Sequence, residues 1–213
     1  MANKLLIELQ YLGNIAYYQY LLQFDEIIIE KHENLVKASY RNRTEIASPN
    51  GILTLSIPIK GGRSKKQLYR EVEIASEPDW KKIHWESFCT CYRSSPYFEF
   101  YEDELREFYE EKYTFLLDFN RRLHEWVCEQ LGIDDTLHPH TDFRDTNGFA
   151  DFRNTVHPKV AWQRDSSFKP SEYFQVFGEK LGFIPNLSIL DLLFNEGPNS
   201  LQVLEQSIKA DAK

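Results

Sequence analysis

The chain has 213 residues, of which 42% are hydrophobic, and its formal net charge is −8 at pH 7. The apolar content is high enough for a packed core, which excludes a wholly disordered chain. The acidic balance argues against DNA or an anionic membrane surface as the main partner, because binding to either requires clustered lysine and arginine.

Cysteine usage and apolar runs indicate the compartment. The odd count and wide spacing of Cys89, Cys91 and Cys128 do not make a disulfide framework, so we expect three reduced thiols. No apolar run approaches the length of a membrane span, and Glu8 interrupts the apolar residues near the N-terminus. We therefore expect a cytoplasmic protein without membrane insertion, built as one domain over residues 1–213 with a polar tail from about residue 207.

The N-terminal third has strand signals around one helix. Residues 5–9 and 27–29 are short apolar strands and residues 14–24 fit a helix, a βαβ pattern that implies a parallel pair. Residues 43–59 predict a β-hairpin around the turn Pro49-Asn50-Gly51, and residues 72–75 predict another short strand. The basic stretch at 60–70 lacks a phosphate-loop pattern, so a solvated turn is favoured over a phosphate-binding loop.

From Asp79 onward the apolar period is that of helices. The pattern predicts helices at 80–91, 103–111, 114–132, 173–181 and 187–194, and one after Pro198. Their inward residues are predicted to include Trp80, Ile83, His84, Ser87, Phe88, Cys91, Phe115, Leu116, Phe119, Leu123, Val127 and Leu131. The fold class is α/β, with a mixed sheet, an N-terminal βαβ unit and hairpin, and a helix-rich C-terminal half; α+β is the alternative.

Arg41-Asn42-Arg43 is the first group of candidate ligand-binding residues. Arginine forks suit carboxylates and phosphates, and this segment follows the apolar strand at 27–29, where ligands of α/β sheets gather. Surface pairing with Glu30, Glu33 or Glu45 is an equally open interpretation.

Histidines and acids form the second group. His84 lies on an apolar helix face, where it is either a core residue or an acid–base catalyst. His138, His140 and Asp142 alternate as metal ligands can on a strand, but Pro139 favours a loop, so no metal is predicted.

Later polar residues also have two interpretations. Asp151-Phe152-Arg153 and His157-Pro158-Lys159 are either a solvated loop with local ion pairs or ligand contacts. Asn186 or Ser188 can cap the helix that follows, and Asn195-Glu196 is typical of a helix end. Asp191 stands in an apolar segment, so it either points outward or is held by a basic partner.

The order and spacing of several segments identify a resemblance. In chain order they are Tyr11-Leu12, Tyr17-Tyr18, Asp25, Tyr40-Arg41-Asn42-Arg43, Trp80 with His84, residues 92–98, residues 117–120, Asp151-Phe152-Arg153 with Pro158-Lys159, Tyr173 with residues 175–177, and residues 186–198. On these segments the chain resembles the WbqC-like protein family over most of its length. The resemblance implies a bacterial protein of surface polysaccharide biosynthesis that transfers a glycyl or other acyl group to an amino sugar.

The chain departs from this family at its start. Many members have a His-Gln-Pro segment just ahead of the Tyr-Leu pair, whereas this chain has Ile7-Glu8-Leu9-Gln10. If that histidine were catalytic in relatives, this chain would lack the catalyst or use Glu8 in its place.

Two functional hypotheses follow. In the first, an acyl or aminoacyl transferase uses His84 as base, oriented by Asp191 or Glu196, and the predicted ligand contacts are Tyr11, Tyr17, Arg41, Asn42, Arg43, Tyr92, Arg153, Lys159 and Asn195. The ligand would be a nucleotide-sugar or an acyl donor, and no cofactor is assigned. In the second, the chain is a non-catalytic sugar- or partner-binding protein of polysaccharide assembly. The first hypothesis requires these residues to meet in one cleft.

Overall fold

The computed structural model describes residues 4–61, 67–133, 137–139, 148–160 and 168–208. Residues 62–66 of the basic stretch and the last residues of the polar tail lie outside these ranges. The side chains of His138, His140 and Asp142 also lie outside the described part of the chain.

A parallel four-stranded sheet forms the centre of the N-terminal region. Its strands are β1 (Lys4–Ile7), β2 (Glu26–Ile29), β5 (Leu137–Pro139) and β6 (Phe149–Asp151), in the spatial order β5-β2-β1-β6. Helix α1 (Ile15–Leu21) connects β1 to β2, which confirms the predicted βαβ unit. The apolar runs of β1 and β2 are buried, as expected for strands covered on both faces.

The position of β1 within the sheet creates a switch point. The chain leaves β1 toward β2, while β6 pairs with the opposite edge of β1, with Lys4 beside Phe149. In open parallel sheets such a reversal opens a crevice beyond the carboxyl ends of the strands. The residues that follow β1 and β6 therefore lie where a ligand site is expected.

A separate antiparallel hairpin contains β3 (Arg43–Ser48) and β4 (Gly51–Ser56), as the sequence predicts. Gly51 has φ +108°, a conformation that the turn requires and that glycine adopts without steric cost. Thr44 and Ile46 of β3 are buried, whereas Arg43 and Glu45 alternate with them on the partly exposed face. The four-stranded sheet is thus parallel, and the two-stranded sheet is antiparallel.

The helices pack mainly through aromatic side chains. They are α2 (Trp80–Tyr92), α3 (Phe98–Glu110), α4 (Leu116–Leu131), α5 (Gly178–Leu181), α6 (Ile189–Glu196) and α7 (Ser200–Gln206). Asp79 caps α2 by accepting from the Lys82 N–H, and Gly132 ends α4 in the left-handed conformation. Within the described ranges, no helix combines the length and apolar character needed to cross a bilayer. The α/β fold class is confirmed.

Residues 72–75 do not form the predicted strand. Tyr69–Glu71 is a 3-10 turn, and the following residues make only isolated bridges, one between Ile59 and Ile74 and another between Glu73 and Phe115. These residues pair with two different segments, one residue at a time, so they do not form a continuous strand ladder.

Three helix predictions were wrong in detail. Ile83 is 49% exposed and Phe115 is 38% exposed, although both were expected to face inward. Helix α3 begins at Phe98, ahead of the predicted range 103–111, because Phe98 and Tyr101 are buried and extend its apolar face. The predicted helix at 173–181 is reduced to α5, since Tyr173 and Gln175 instead turn toward a buried acid.

Candidate functional site

A buried ion cluster lies beyond the carboxyl ends of the parallel strands. Arg41 is completely buried, and its Nη1 lies 3.6 Å from Oε1 of Glu8, the residue that follows β1. The guanidinium also donates from Nε to Oε1 of Glu33 over 2.8 Å, and from Nη1 to Oδ1 of Asn154 over 3.0 Å. A buried arginine with two carboxylates and an amide oxygen is held in one geometry.

The same cluster fixes the segment that follows β6. Oε2 of Glu8 accepts the backbone N–H of Asn154 over 3.0 Å. Nε2 of Gln10 donates to Oε1 of Glu8 over 3.3 Å and to the carbonyl of Val156 over 3.2 Å. Residues 154–156 are therefore bound to side chains of the segment after β1, which positions the next residue, His157.

Arg153 is paired locally. Its Nε and Nη2 donate to the two carboxylate oxygens of Asp151 over 2.9 and 2.6 Å, and Nη1 donates to Glu30 over 3.1 Å. Hydrogen bonding from Arg153 holds the pKa of Asp151 below its ordinary value. This is the local ion-pair arrangement that the sequence left open.

A cleft of about 190 Å³ opens beside the ion cluster. Its walls come from the ends of α1 and β3, the segment after β6, and the segment before α6: Asn14, Ala16, Tyr40, Glu45, Ile52, Thr155, Val156, His157, Pro158, Val160, Pro185, Asn186 and Leu187. Ile52 and Val160 are 56% and 46% exposed, so the cleft has an apolar rim around a polar floor.

His157 is the titratable ring in this cleft. Burial lowers its pKa, and the charges of Arg41, Lys159 and Arg43 lower it further. The Lys159 N–H donates to Nδ1 of His157 over 3.1 Å, so the neutral ring carries its hydrogen on Nε2. At neutral pH His157 therefore presents an N–H donor without a positive charge.

Arg43 supplies positive charge close to this ring. Its Nε is buried and has no hydrogen-bond partner among the described residues. Over the same ranges, no carboxylate lies within ion-pair distance of either Arg43 or Lys159. Cations without an internal counter-ion favour an anionic ligand.

Three residues with positive φ lie in the cleft wall or in the segments that lead to it. Asn186 lines the cleft and has φ 59°, and Leu12 and Asn154 have φ values of 44° and 62°. Asparagine often adopts this conformation, whereas leucine does so only where its surroundings impose it. Of the two cap candidates, Ser188 caps α6, through its side-chain oxygen and the Leu190 N–H. Oδ1 of Asn186 accepts the Ala16 N–H of α1 over 2.8 Å.

His84 lies in a separate cluster. Its Nδ1 shares a 2.8 Å hydrogen bond with the Tyr11 hydroxyl, which lies 2.6 Å from the Tyr109 hydroxyl. Burial lowers the pKa of His84 to about 4. A hydrogen bond to the Ser56 backbone acts in the opposite direction but is the weaker effect. His84 is thus a neutral, hydrogen-bonded residue of the aromatic core, with Trp80 packed edge-on at 5.1 Å.

Asp191 forms a third cluster, and neither of its predicted environments is observed. The buried carboxylate accepts hydrogen bonds from Tyr92 over 2.7 Å, Tyr173 over 2.6 Å and Gln175 over 3.0 Å. Burial raises the pKa of Asp191 to about 6, although these three hydrogen bonds oppose the shift. Neutral donors replace the expected basic partner, since hydroxyls and an amide satisfy a carboxylate without a second buried charge.

The remaining predicted residues have local contacts. Asn195 donates to the Asp191 carbonyl over 2.7 Å, Glu196 accepts the Phe174 N–H over 3.2 Å, and Asn42 donates to the Ile57 carbonyl over 2.9 Å. The Tyr17 hydroxyl is buried and has no partner within the described ranges; the charge of Glu8 adds to the effect of burial in raising its pKa.

The predicted convergence of arginines, histidine and late acids is therefore not what the contacts show. Over the described ranges, no hydrogen bond or ion pair joins His84 or Asp191 to Arg41, Arg43 or Arg153. The catalytic roles of His84, Asp191 and Glu196 stay predictions.

Several residues of the ion cluster and one of the cleft were not selected as site residues from the sequence. Glu8 was considered only as a replacement for a histidine, and Gln10, Glu45 and Asn154 were not selected. Their common signal was position: Glu8, Gln10 and Asn154 follow closely after parallel strands, where polar residues meet.

Comparisons with known proteins identify the family. The model of the WbqC-like protein family matches residues 10–153 and 150–203. Among curated proteins, "Uncharacterized protein Rv1507c" of Mycobacterium tuberculosis is 27% identical over 237 residues, covering 97% of this chain and 100% of that protein. No solved structure gave a significant match. Because the family model covers the hairpin, the cleft and most of the helices, the chain belongs to the WbqC-like protein family.

Proposed function

We propose that this chain transfers an acyl group, glycyl or another, to the amine of a sugar that carries a phosphate or nucleotide, in surface polysaccharide biosynthesis. The observation that carries the proposal is the cleft at the switch point, which His157 lines and near which the cations of Arg43 and Lys159 lie close enough to act on that ring. Ligands of open α/β sheets bind at this position.

Positive charges next to the cleft suit a phosphorylated ligand. Arg43 and Lys159 would attract the phosphate, because neither is neutralised by an ion pair in the described part of the chain. The apolar rim of Ile52 and Val160 would cover the non-polar face of a sugar or base. Arg41 is unsuited to direct ligand contact, since Glu8 and Glu33 already satisfy it; it supports the cleft from behind.

The chemistry needs a donor to the developing oxyanion. The amine nitrogen attacks the acyl carbon of an activated ester or thioester, a C–N bond forms, and the leaving group departs with the electron pair of the broken bond. A neutral N–H donor aimed at the acyl oxygen stabilises the charge that develops there. Nε2–H of His157 is suited to this role because its Nδ1 already accepts the Lys159 N–H.

Binding gives the first test. Glucosamine 1-phosphate, the fragment common to nucleotide-activated amino sugars, is expected to raise the melting temperature of the wild-type chain, because a ligand that binds only the folded state stabilises it. Arg43→Ala should abolish the shift. Arg121→Ala removes an exposed arginine that pairs with Glu125 on α4 and is the matched control.

Turnover gives the second test. The wild-type chain is incubated with an amino-sugar nucleotide and a panel of acyl thioesters and aminoacyl esters, and amide products are detected by mass spectrometry. His157→Gln should lower kcat by about 100-fold with little change in KM, since one oxyanion donor contributes roughly that factor. Binding without any amide product would contradict the transferase and leave the non-catalytic sugar-binding protein.

A further inference from the structure

We propose that Glu45 is the amine-binding residue of the cleft, and that with Arg43 it selects ligands that carry both an ammonium and an anionic group. This inference rests on the proposed function and adds to it the residue that recognises and deprotonates the acceptor amine. None of the segments that carry the family resemblance includes Glu45.

The backbone of β3 places the two charges together. Arg43 and Glu45 are two residues apart on one strand, so their side chains leave the same face about 7 Å apart along it. Within the described ranges they form no ion pair with each other. A cation and an anion held on one face without neutralising each other are complementary to a ligand that carries both charges.

Tyr40 orients the Glu45 carboxylate. The Tyr40 hydroxyl donates to Oε2 of Glu45 over 2.8 Å, and both residues line the cleft. Burial raises the pKa of Tyr40, Glu45 raises it further, and Arg43 opposes this, so all three groups are close in space. No described residue hydrogen-bonds to Oε1 of Glu45, which leaves that oxygen for a ligand.

The Glu45 backbone is also fixed. Its carbonyl accepts the Ser188 N–H over 2.7 Å, which joins β3 to the start of α6. A carboxylate on a fixed strand, oriented by a tyrosine, provides the arrangement that an ammonium requires for a charge-assisted hydrogen bond.

The proton transfer follows from this position. Oε1 of Glu45 accepts a proton from the sugar ammonium, and the nitrogen lone pair that this releases attacks the activated acyl carbon. The C–N bond forms as the bond to the ester or thioester leaving group breaks. That group keeps the electron pair and takes the second proton of the attacking nitrogen, so it departs as a neutral alcohol or thiol. The first proton remains on Glu45 until solvent removes it.

The experiment compares two ligands that differ in one group. Dissociation constants for glucosamine 1-phosphate and glucose 1-phosphate are measured by isothermal titration on the wild-type chain, Glu45→Gln, Arg43→Ala and Glu111→Gln. Glu111 is the matched control, because it too accepts a tyrosine hydroxyl, from Tyr113 over 2.6 Å, but lies outside the cleft. Glutamine keeps an acceptor for the Tyr40 hydroxyl, so the Glu45 variant is expected to fold.

The wild-type chain should bind glucosamine 1-phosphate about tenfold more tightly than glucose 1-phosphate, since a hydrogen bond between charged groups contributes roughly that factor. Glu45→Gln should reduce the preference to within about twofold, while Glu111→Gln keeps it and Arg43→Ala weakens both ligands. If both ligands bind equally and Arg43→Ala weakens both, the role of Glu45 is overturned and the proposed function stands. Failure of both ligands to bind would overturn the proposed function and this inference with it.

Discussion

Two buried acids, Glu8 and Asp191, differ in how the chain satisfies them. Glu8 lies beside Arg41, and its hydrogen bonds reach the segment that lines the cleft. Asp191 is enclosed between α6 and two tyrosines and has only neutral donors, which leaves its pKa raised to about 6 by burial. A buried carboxylate therefore does not mark a functional site by itself; its connection to a surface cleft is the useful criterion.

The largest expected effect is the loss of Arg41. Arg41→Ala leaves the buried carboxylates of Glu8 and Glu33 without their cation, and we expect a loss of about 3–5 kcal/mol in the free energy of unfolding. Urea denaturation at pH 7 measures it. Arg121→Ala, which removes an exposed pair, should change stability by less than about 1 kcal/mol. Equal losses in both variants would show that the ion cluster is not a stabilising unit.

The second effect is acid sensitivity from His84. Its pKa is about 4 in the folded chain and about 6.5 unfolded, so between these values only the unfolded state takes up the proton. Stability should fall as pH decreases from 6.5 to 4, by about 3 kcal/mol from this residue. In His84→Gln the unfolding free energy, measured in urea from pH 7.5 to pH 4, should show a shallower decline. An unchanged slope would contradict a buried neutral His84.

Asp191 should act in the opposite direction over a similar range. Its pKa is about 6 folded against an ordinary value of 3.8, so on acidification the folded state takes up this proton first and gains stability. Asp191→Asn removes that gain of about 3 kcal/mol, and its stability should decline more steeply than the wild type between pH 6 and pH 4. Ligand binding at the cleft should be unaffected, as calorimetry with glucosamine 1-phosphate would show. Weaker binding of glucosamine 1-phosphate by Asp191→Asn would show that the Asp191 cluster is coupled to the cleft.

The smallest effect on stability is expected in the cleft. His157 is only partly buried, so His157→Gln should change the free energy of unfolding by no more than about 0.5 kcal/mol. Thermal denaturation without ligand measures this value. A loss of stability comparable to that of Arg41→Ala would show that His157 is a structural residue. Arg41 and His157 would then not differ in their contribution to stability.

Much of the fold could be predicted from local patterns. The apolar run at 27–29 indicated a strand buried on both faces, and Asn50-Gly51 indicated the hairpin turn, where Gly51 has φ +108°. Strand β6 could not be predicted, because three residues are too few to show a period and its partner β1 lies far away in sequence.

The site was predictable only in part. Arg41 and Arg43 were selected for their position after a strand. The sequence did not show that Arg41 is paired with buried carboxylates whereas Arg43 has no such partner among the described residues. That difference depends on Glu8 and Asn154, which are 146 residues apart in the sequence. His157 stood in a polar stretch without periodicity, so a solvated loop was the favoured interpretation.

The late arrival of β6 has a consequence for biosynthesis. When β1 and β2 have left the ribosome, more than half of the chain is still to be translated before Phe149–Asp151 emerges, which takes on the order of ten seconds at about 5–20 residues per second. During that interval one edge of β1, with its apolar Leu5 and Leu6, has no native partner and is open to wrong pairing. We expect the nascent chain to depend on chaperones, and truncation before residue 149 to give an aggregating product.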